Sequence, residues 1–165
     1  MKYVDAVVTF SEIPDEITLC LNISNCPCKC PGCHSKYLWE DIGNNLTKAA
    51  ISDLMASNRG GVTCICFMGG DANPNELVDI ASWVRKVYPN IRIAWYSGMQ
   101  NPERYPVFDY IKVGPYIEKL GPLTSKTTNQ RLYAKGSALK KMSAYSNEWY
   151  DITDRFWKRL NSEAD

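Results

Sequence analysis

The amino-acid sequence predicts an α/β fold: a partial, open (βα) barrel with a mostly parallel sheet, forming a single domain over residues 1–165. Apolar strands alternate with amphipathic helices, a pattern typical of parallel sheets with right-handed crossovers. Glycines and chemically active residues follow the ends of several strands, where parallel folds place their sites. A complete eight-unit barrel needs about 250 residues. A chain of 165 residues is therefore expected to build only part of one, with one side uncovered.

The first elements lead the chain into a loop rich in cysteine. Short apolar strands are predicted over residues 6–10 and 17–23, and the second ends where this loop begins. Residues 46–57 have the apolar spacing of a helix, with Thr47 or Asn45 as its cap. The loop therefore lies between the carboxyl end of a strand and a helix.

The rest of the chain continues the alternation and then becomes poorer in helix. Turn residues mark the ends of most of these segments, as Gly69 does for the first of them. The predicted elements are a strand at 62–68, a helix at 75–87, strands at 91–96 and 110–113, a hairpin within 131–151 and a terminal helix at 154–160.

Four cysteines lie within residues 26–34, between prolines and a glycine. Thiolates are soft ligands that suit zinc and iron-sulfur clusters. Cys26, Cys30 and Cys33 form a C-x3-C-x2-C pattern, which supplies three thiolates where a closed cluster site needs four. An iron without a protein ligand can bind a substrate or cofactor, just as a catalytic zinc keeps one position open. The alternative set of Cys28, Cys30 and Cys33 would give C-x-C-x2-C.

Composition restricts the class of protein. There are 19 basic and 18 acidic residues, and a net charge of +1 gives no electrostatic footprint for nucleic acid. Residues 1–10 lack the apolar h-region of a signal peptide, and no apolar run approaches the roughly 18 residues of a membrane span, so we expect a cytoplasmic protein without a membrane partner. In a reducing compartment, seven cysteines indicate metal or redox chemistry in preference to disulfides.

Two other site chemistries could use the same loop. A structural zinc site would use Cys28 and His34, but the loop is cramped for tetrahedral closure and no second C-x2-C follows. A thiol-disulfide oxidoreductase would use Cys30 and Cys33 and leave Cys26 without a purpose. The cysteines outside the loop are Cys20, Cys64 and Cys66. They are predicted to lie in strands and to pack there as small hydrophobic residues.

The order of two motifs carries a resemblance to a known family. The C-x3-C-x2-C pattern, followed after the next strand by Gly69-Gly70-Asp71, resembles the radical S-adenosylmethionine (radical SAM) superfamily. More narrowly, the chain from residue 10 to 131 resembles the anaerobic ribonucleoside-triphosphate reductase activating proteins. The segments that carry this resemblance are CPGCH at 30–34, FMGGD at 67–71, WYSG at 95–98 and TNQR at 128–131.

The resemblance implies a radical SAM type of fold, two cofactors and a protein substrate. The cofactors are a [4Fe-4S] cluster and S-adenosylmethionine, which the reduced cluster cleaves to methionine and a 5′-deoxyadenosyl radical. That radical takes a hydrogen atom from a glycine-bearing loop of the anaerobic ribonucleoside-triphosphate reductase. A low-potential donor such as flavodoxin or ferredoxin supplies the electron. The chemistry is carried by the cluster and S-adenosylmethionine, so no catalytic side chain is expected.

The resemblance also implies which residues bind S-adenosylmethionine. They are Gly32, Cys33, His34, Gly69, Gly70, Asp71, Tyr96, Ser97 and Lys112. Gly69 and Gly70 would let the backbone approach the ligand where a side chain would clash. Asp71 or nearby carbonyl groups would meet its ammonium group.

The resemblance also implies contacts to the adenine, the ribose and the methionine carboxylate of S-adenosylmethionine. The backbone at residues 32–34 is expected to lie along the adenine. Tyr96 and Ser97 are expected at the ribose, and Lys112 is expected to face the methionine carboxylate. These residues lie in the cysteine loop or near the ends of strands, so the sequence predicts one site at that edge of the sheet.

Overall fold

The computed structural model describes residues 1–58, 61–139 and 146–157, and these form one mixed sheet of eight strands. The strands are β1 (Lys2–Thr9), β2 (Thr18–Ile23), β3 (Asn44–Asn45), β4 (Cys64–Met68), β5 (Arg92–Tyr96), β6 (Tyr110–Val113), β7 (Arg131–Lys135) and β8 (Trp149–Asp151). Their order across the sheet is β3-β1-β2-β4-β5-β6-β7-β8.

The centre of the sheet is parallel and both sides are antiparallel. β2, β4, β5 and β6 run in the same direction, so their carboxyl ends meet at one edge. On one side β1 pairs antiparallel with β2, and β3 pairs with β1. On the other side β7 pairs antiparallel with β6, and β8 with β7. This arrangement concentrates the ends of four strands beside the cysteine loop.

Two α-helices of more than one turn lie within the described residues, α1 (Lys48–Ser57) and α2 (Pro74–Val87). Thr47 caps α1, because its hydroxyl accepts a hydrogen bond from the backbone N–H of Ala50 at 3.1 Å. α2 begins with a proline, whose missing N–H costs nothing in the first turn. Its buried face is the predicted one, formed by Leu77, Ile80, Ala81 and Val84.

The predicted partial (βα) barrel is wrong, although the sheet is partly parallel. In the part of the chain that the structure describes, only the β2–β4 and β4–β5 connections contain an α-helix, and the sheet does not close. The β5–β6 connection, residues 97–109, contains Pro102 and Pro106, which oppose a helix in so short a segment. After β6 the chain reverses and adds antiparallel strands instead of further βα units.

The individual strands and helices agree better with those predicted from the sequence than the overall architecture does. The predicted strands at 17–23, 62–68, 91–96 and 110–113 correspond to β2, β4, β5 and β6, and the predicted hairpin is β7 with β8. β1 begins earlier than predicted, at Lys2, and the two-residue β3 was not predicted. Of the predicted terminal helix, residues 154–157 are helical and 158–160 lie outside the described residues.

Alternating residues divide the sheet into two different faces. Both α-helices pack on a face of large apolar side chains, which include Leu21, Phe67 and Trp95. The opposite face carries smaller or polar-tipped residues, and the three strand cysteines lie there, 4% exposed at Cys20 and 0% at Cys64 and Cys66. Burial raises the pKa of the Cys64 and Cys66 thiols. The two-residue period of a strand explains why the two cysteines of β4 share a face.

A search of the described helices for a segment long and apolar enough to cross a bilayer found none.

A buried carboxylate joins α2 to the sheet and provides a test of the packing. Asp109, which is 4% exposed, accepts hydrogen bonds from the Ile93 backbone N–H at 2.9 Å and from the guanidinium of Arg85. It also pairs with Arg92 at 3.4 Å. Asp109→Ala leaves the Ile93 N–H unpaired and removes the ion pairs with both arginines, so we expect the free energy of unfolding to fall by about 2 kcal/mol, allowing for the partly exposed arginines.

Urea denaturation measures this loss. Asp79→Ala, at an exposed position on α2, is the matched control and should leave the free energy of unfolding nearly unchanged. Equal stability of the two variants would contradict the bridging role of Asp109.

Candidate metal centre

The cysteine loop folds back over the end of the sheet through three left-handed residues. These are Asn25 (φ 61°), Lys29 (φ 42°) and Gly32 (φ 76°). The start of the loop is fixed by a hydrogen bond from the Cys26 N–H to the Leu38 carbonyl at 2.9 Å. Asparagine adopts left-handed backbone readily but lysine does so rarely, so the turn at Lys29 indicates that the surrounding structure holds the loop.

The loop covers a cavity of about 250 Å³ at the carboxyl ends of the parallel strands. All four loop cysteines line it, and each is a free thiol of intermediate exposure. The lining residues are Asn22, Ile23, Cys26, Cys28, Cys30, Cys33, Ser35, Leu38, Trp39, Met68, Gly69, Asp71, Tyr96, Gly98, Lys112 and Tyr116. The site therefore has a thiol side, from the loop, and a polar side, from the strand ends.

The donor set fits a cluster. Across the described residues, no three His, Cys, Asp or Glu side chains converge on a point where they could hold one metal ion. An iron-sulfur cluster is larger than one ion, and its cysteines bind different irons. Four free thiols around one cavity, with no disulfide competing for them, meet that requirement.

Asp71 organises the polar side of the cavity. Its Oδ1 accepts a hydrogen bond from the Ser97 hydroxyl at 2.5 Å, and its Oδ2 accepts one from the Gly98 backbone N–H at 2.9 Å. The carboxylate thereby joins the segment after β4 to the segment after β5. It also remains in the cavity wall, where its negative charge can meet a cation.

Lys112 brings a buried cation to the same wall. Its Nζ donates hydrogen bonds to the carbonyl oxygens of Ser97 at 3.1 Å and Gly114 at 2.9 Å. Burial lowers the pKa of Lys112, while the nearby Asp71 carboxylate raises it. An ammonium group has three donors, and the contacts within the described chain use two. One N–H is therefore available for a ligand in the cavity.

Cys28 is the cysteine that reaches across to the polar side. A β-carbon added to Gly98 would lie 2.5 Å from the Cys28 Sγ. Burial, followed by the charges of Asp71, Cys26 and Cys30, raises the pKa of the Cys28 thiol to about 12. Gly98 does not have a left-handed φ, so the close approach of this sulfur is the reason that the position needs glycine.

The structure brings together most of the residues that the sequence singled out. Those that line the cavity are Cys26, Cys30, Cys33, Gly69, Asp71, Tyr96 and Lys112. The phenol of Tyr96 donates a hydrogen bond to the Glu12 carbonyl, and the Trp95 indole donates one to the Gly69 carbonyl at 2.9 Å. These bonds fix the ends of β4 and β5 around the cavity.

The other predicted site residues, Gly32, His34, Gly70 and Ser97, lie beside the cavity without lining it. Ser97 is fully buried behind Asp71. A β-carbon on Gly32 would meet the side chain of Glu118 at 2.8 Å.

Gly70 and His34 contact different parts of the structure. A β-carbon on Gly70 would face Leu77 at 3.2 Å, and Gly70 lines a neighbouring cavity. The exposed His34 lies at the rim, 3.5 Å from the hydroxyl of Tyr116, with the ring centroids 5.5 Å apart.

The lining residues that sequence reasoning did not assign include Cys28, Gly98 and Tyr116. Cys28 falls outside the C-x3-C-x2-C spacing, although its position between two ligand candidates was a signal. Gly98 directly follows a predicted site residue at a strand end. Tyr116 comes two residues after Gly114, in a loop whose path could not be read from the sequence.

A known protein family matches residues 17–142, which is more than half of the chain. The family is described as a 4Fe-4S single cluster domain, and the match includes β2, the whole cysteine loop and every strand end around the cavity. Comparison with curated proteins and with solved structures gave no match. The match favours the iron-sulfur interpretation of the loop over zinc. The chain belongs to the 4Fe-4S single cluster domain family.

Proposed function

We propose that this iron-sulfur protein reductively cleaves S-adenosylmethionine and uses the resulting 5′-deoxyadenosyl radical to generate a glycyl radical on an anaerobic ribonucleoside-triphosphate reductase. The observation that carries the proposal is the pair of opposite charges, Asp71 and Lys112, in the wall of a cavity lined by four cysteines. A family match to a single-cluster domain and the C-x3-C-x2-C spacing support it.

In this proposal Cys26, Cys30 and Cys33 each hold one iron of the cluster. Three thiolates would leave one iron without a protein ligand, available to the amino and carboxylate groups of S-adenosylmethionine. When bound and reduced, the cluster supplies the electron that breaks the bond between the sulfonium sulfur and the 5′ carbon. No side chain has to donate or remove a proton in that step, so the chain's own residues serve to bind and orient.

Asp71 and Lys112 suit the two charged groups of an amino acid. The carboxylate of Asp71 can accept a hydrogen bond from the amino group, and the remaining N–H of Lys112 can donate one to the carboxylate group. Charge-assisted hydrogen bonds of this kind are about twice as strong as neutral ones. Ser97, buried behind Asp71, acts in the proposal by holding that carboxylate in place at 2.5 Å.

The adenosine end of the cofactor would occupy the remaining wall. Gly69 presents backbone there without a side chain, and a β-carbon at this position would lie 3.1 Å from the Ile23 carbonyl. Tyr96 borders the same space, and the backbone at residues 32–34 with the ring of His34 lies at the rim. These positions support the adenine and ribose contacts that the resemblance implies.

A polypeptide substrate is consistent with the open sheet. The described residues place the cavity at an edge of the sheet where no further βα unit covers it. A glycine-bearing loop of the reductase would cover the cavity and exclude water from the radical. The electron would come from a low-potential donor such as flavodoxin or ferredoxin, and the protein would act in the cytoplasm.

The experiment is to mix the anaerobically reduced protein with S-adenosylmethionine and a candidate reductase. We expect 5′-deoxyadenosine and the doublet of a glycyl radical in the electron paramagnetic resonance spectrum. Omitting the reductase should remove the doublet. Rapid turnover on a small molecule with no radical on the reductase would overturn the activating role and leave the cleavage chemistry standing.

A further inference from the structure

Cys28 is a fourth thiol in the cavity that three-cysteine ligation leaves without a role. It lines the cavity together with Cys26, Cys30 and Cys33 and lies at the border between the thiol side and the polar side. The left-handed turn at Lys29 follows it directly. The other cysteines of the chain are buried on a face of the sheet, so within the described residues Cys28 is the spare thiol at this site.

Two groups can therefore compete for the open iron. One is the amino-acid part of S-adenosylmethionine, which Asp71 and Lys112 are placed to bind. The other is the Cys28 thiolate, which lies against the same wall, with the Asp71 carboxylate beside the Gly98 position that its sulfur approaches. Thiolates are good ligands of iron-sulfur clusters, so the sulfur has the right chemistry to occupy that iron whenever the cofactor is absent.

We propose that Cys28 is a displaceable fourth ligand: its thiolate closes the cluster in the resting protein, and S-adenosylmethionine replaces it. The proposal rests on the proposed function for the identity of the displacing ligand. In the exchange the bond between iron and the Cys28 sulfur breaks, and bonds from iron to the amino nitrogen and a carboxylate oxygen form. The ammonium group of S-adenosylmethionine releases a proton to solvent as its nitrogen binds iron, the freed Cys28 thiolate takes up a proton from solvent, and no electron is transferred.

Gly98 provides the space for the displaced sulfur. The Cys28 Sγ lies 2.5 Å from the point that a β-carbon of residue 98 would occupy, so glycine at this position leaves room for the sulfur beside the polar side of the cavity. The Gly98 N–H is bound to Asp71, which keeps this part of the wall fixed. The absence of one side chain thus allows the sulfur to move away from the iron without disturbing Asp71.

The first test follows the iron and needs neither S-adenosylmethionine nor a reductase. Anaerobically reconstituted wild type and Cys28→Ala are mildly oxidised with ferricyanide, and iron per chain is measured. A cluster closed by four thiolates should retain its four irons, whereas Cys28→Ala should lose one of the four. Cys66→Ala, in the buried face of β4, is the control and should behave as wild type.

Two outcomes overturn the proposal. One is equal loss of iron from wild type and Cys28→Ala. The other is failure of Cys28→Ala to assemble any cluster while Cys26→Ala assembles one, because Cys28 would then be an obligatory ligand.

The second test measures the affinity for S-adenosylmethionine by calorimetric titration. Removing a competitor increases the fraction of binding-competent protein, so Cys28→Ala should bind about tenfold more tightly. Gly98→Ala fills the space for the displaced sulfur and should bind about tenfold more weakly. The double variant Gly98→Ala/Cys28→Ala should recover the tight binding of Cys28→Ala, because no sulfur remains to be displaced.

These tests separate the two proposals. If no variant binds S-adenosylmethionine and yet the iron difference holds, the proposed function fails and ligation by Cys28 stands. If Gly98→Ala binds as wild type does, displacement toward Gly98 is wrong.

Discussion

Single replacement of Cys26, Cys30 or Cys33 by alanine is expected to abolish the assembly of a stable cluster and, with it, cleavage of S-adenosylmethionine. Each of these thiols lines the cavity as a free cysteine, and each would bind a different iron, so no remaining cysteine of the set can replace a lost one. Iron and sulfide analysis after anaerobic reconstitution measures the first effect. The yield of 5′-deoxyadenosine with a strong reductant measures the second.

The chain supplies matched controls for this experiment. Cys20→Ala and Cys66→Ala remove thiols that are buried on the sheet, away from the cavity, and should retain the cluster. Cys28→Ala should also retain it and still cleave S-adenosylmethionine. A variant of Cys26 that kept full activity while Cys28→Ala had none would replace the proposed set with Cys28, Cys30 and Cys33.

Asp71→Asn is expected to weaken the binding of S-adenosylmethionine by about 2 kcal/mol, or roughly 30-fold, with the iron content unchanged. Asparagine has the same shape, and its carbonyl oxygen can still accept the hydrogen bond from the Gly98 N–H. The side-chain amide can turn toward Ser97. What is lost is the negative charge that strengthens the hydrogen bond accepted from the amino group of the ligand. Calorimetric titration of the reconstituted protein measures the affinity.

Asp71→Ala distinguishes the role of Asp71 in binding S-adenosylmethionine from its role in stabilising the cavity wall. It removes the hydrogen bonds to Ser97 and Gly98 as well as the charge, so it should lower the free energy of unfolding, whereas Asp71→Asn should leave it nearly unchanged. Wild-type affinity in Asp71→Asn would show that the carboxylate only joins the segments after β4 and β5.

The local elements could be predicted from the sequence because each has a period of its own. Alternation placed Cys64 and Cys66 on one face of β4, and the spacing of Leu77, Ile80 and Val84 gave the buried face of α2. No periodic pattern in the sequence shows whether a strand runs parallel or antiparallel to its neighbours. That direction depends on the path of the connection, and the reversal between β6 and β7 depends on tertiary contacts that the polar segment 114–130 does not reveal.

The sequence predicted which residues form the candidate site better than it predicted the contacts between them. The spacing of the cysteines and the positions of Asp71 and Lys112 after or near strand ends were readable, because parallel strands bring their ends together. The burial of Ser97 behind Asp71 could not be predicted. The approach of Cys28 to Gly98 depends on how the loop turns at Lys29. This residue has a left-handed conformation, which a lysine in the sequence does not predict.

The ring pair of His34 and Tyr116 at the rim makes the protein suited to proton nuclear magnetic resonance. His34 is the one histidine in the sequence and directly follows Cys33. Its imidazole protons therefore give a single set of signals that needs no isotope labelling to assign. A paramagnetic centre bound through Cys33 would shift and broaden them, and the ring of Tyr116 lies beside the imidazole, with its centroid 5.5 Å away. One resonance would then follow loading, reduction and ligand binding in the intact protein.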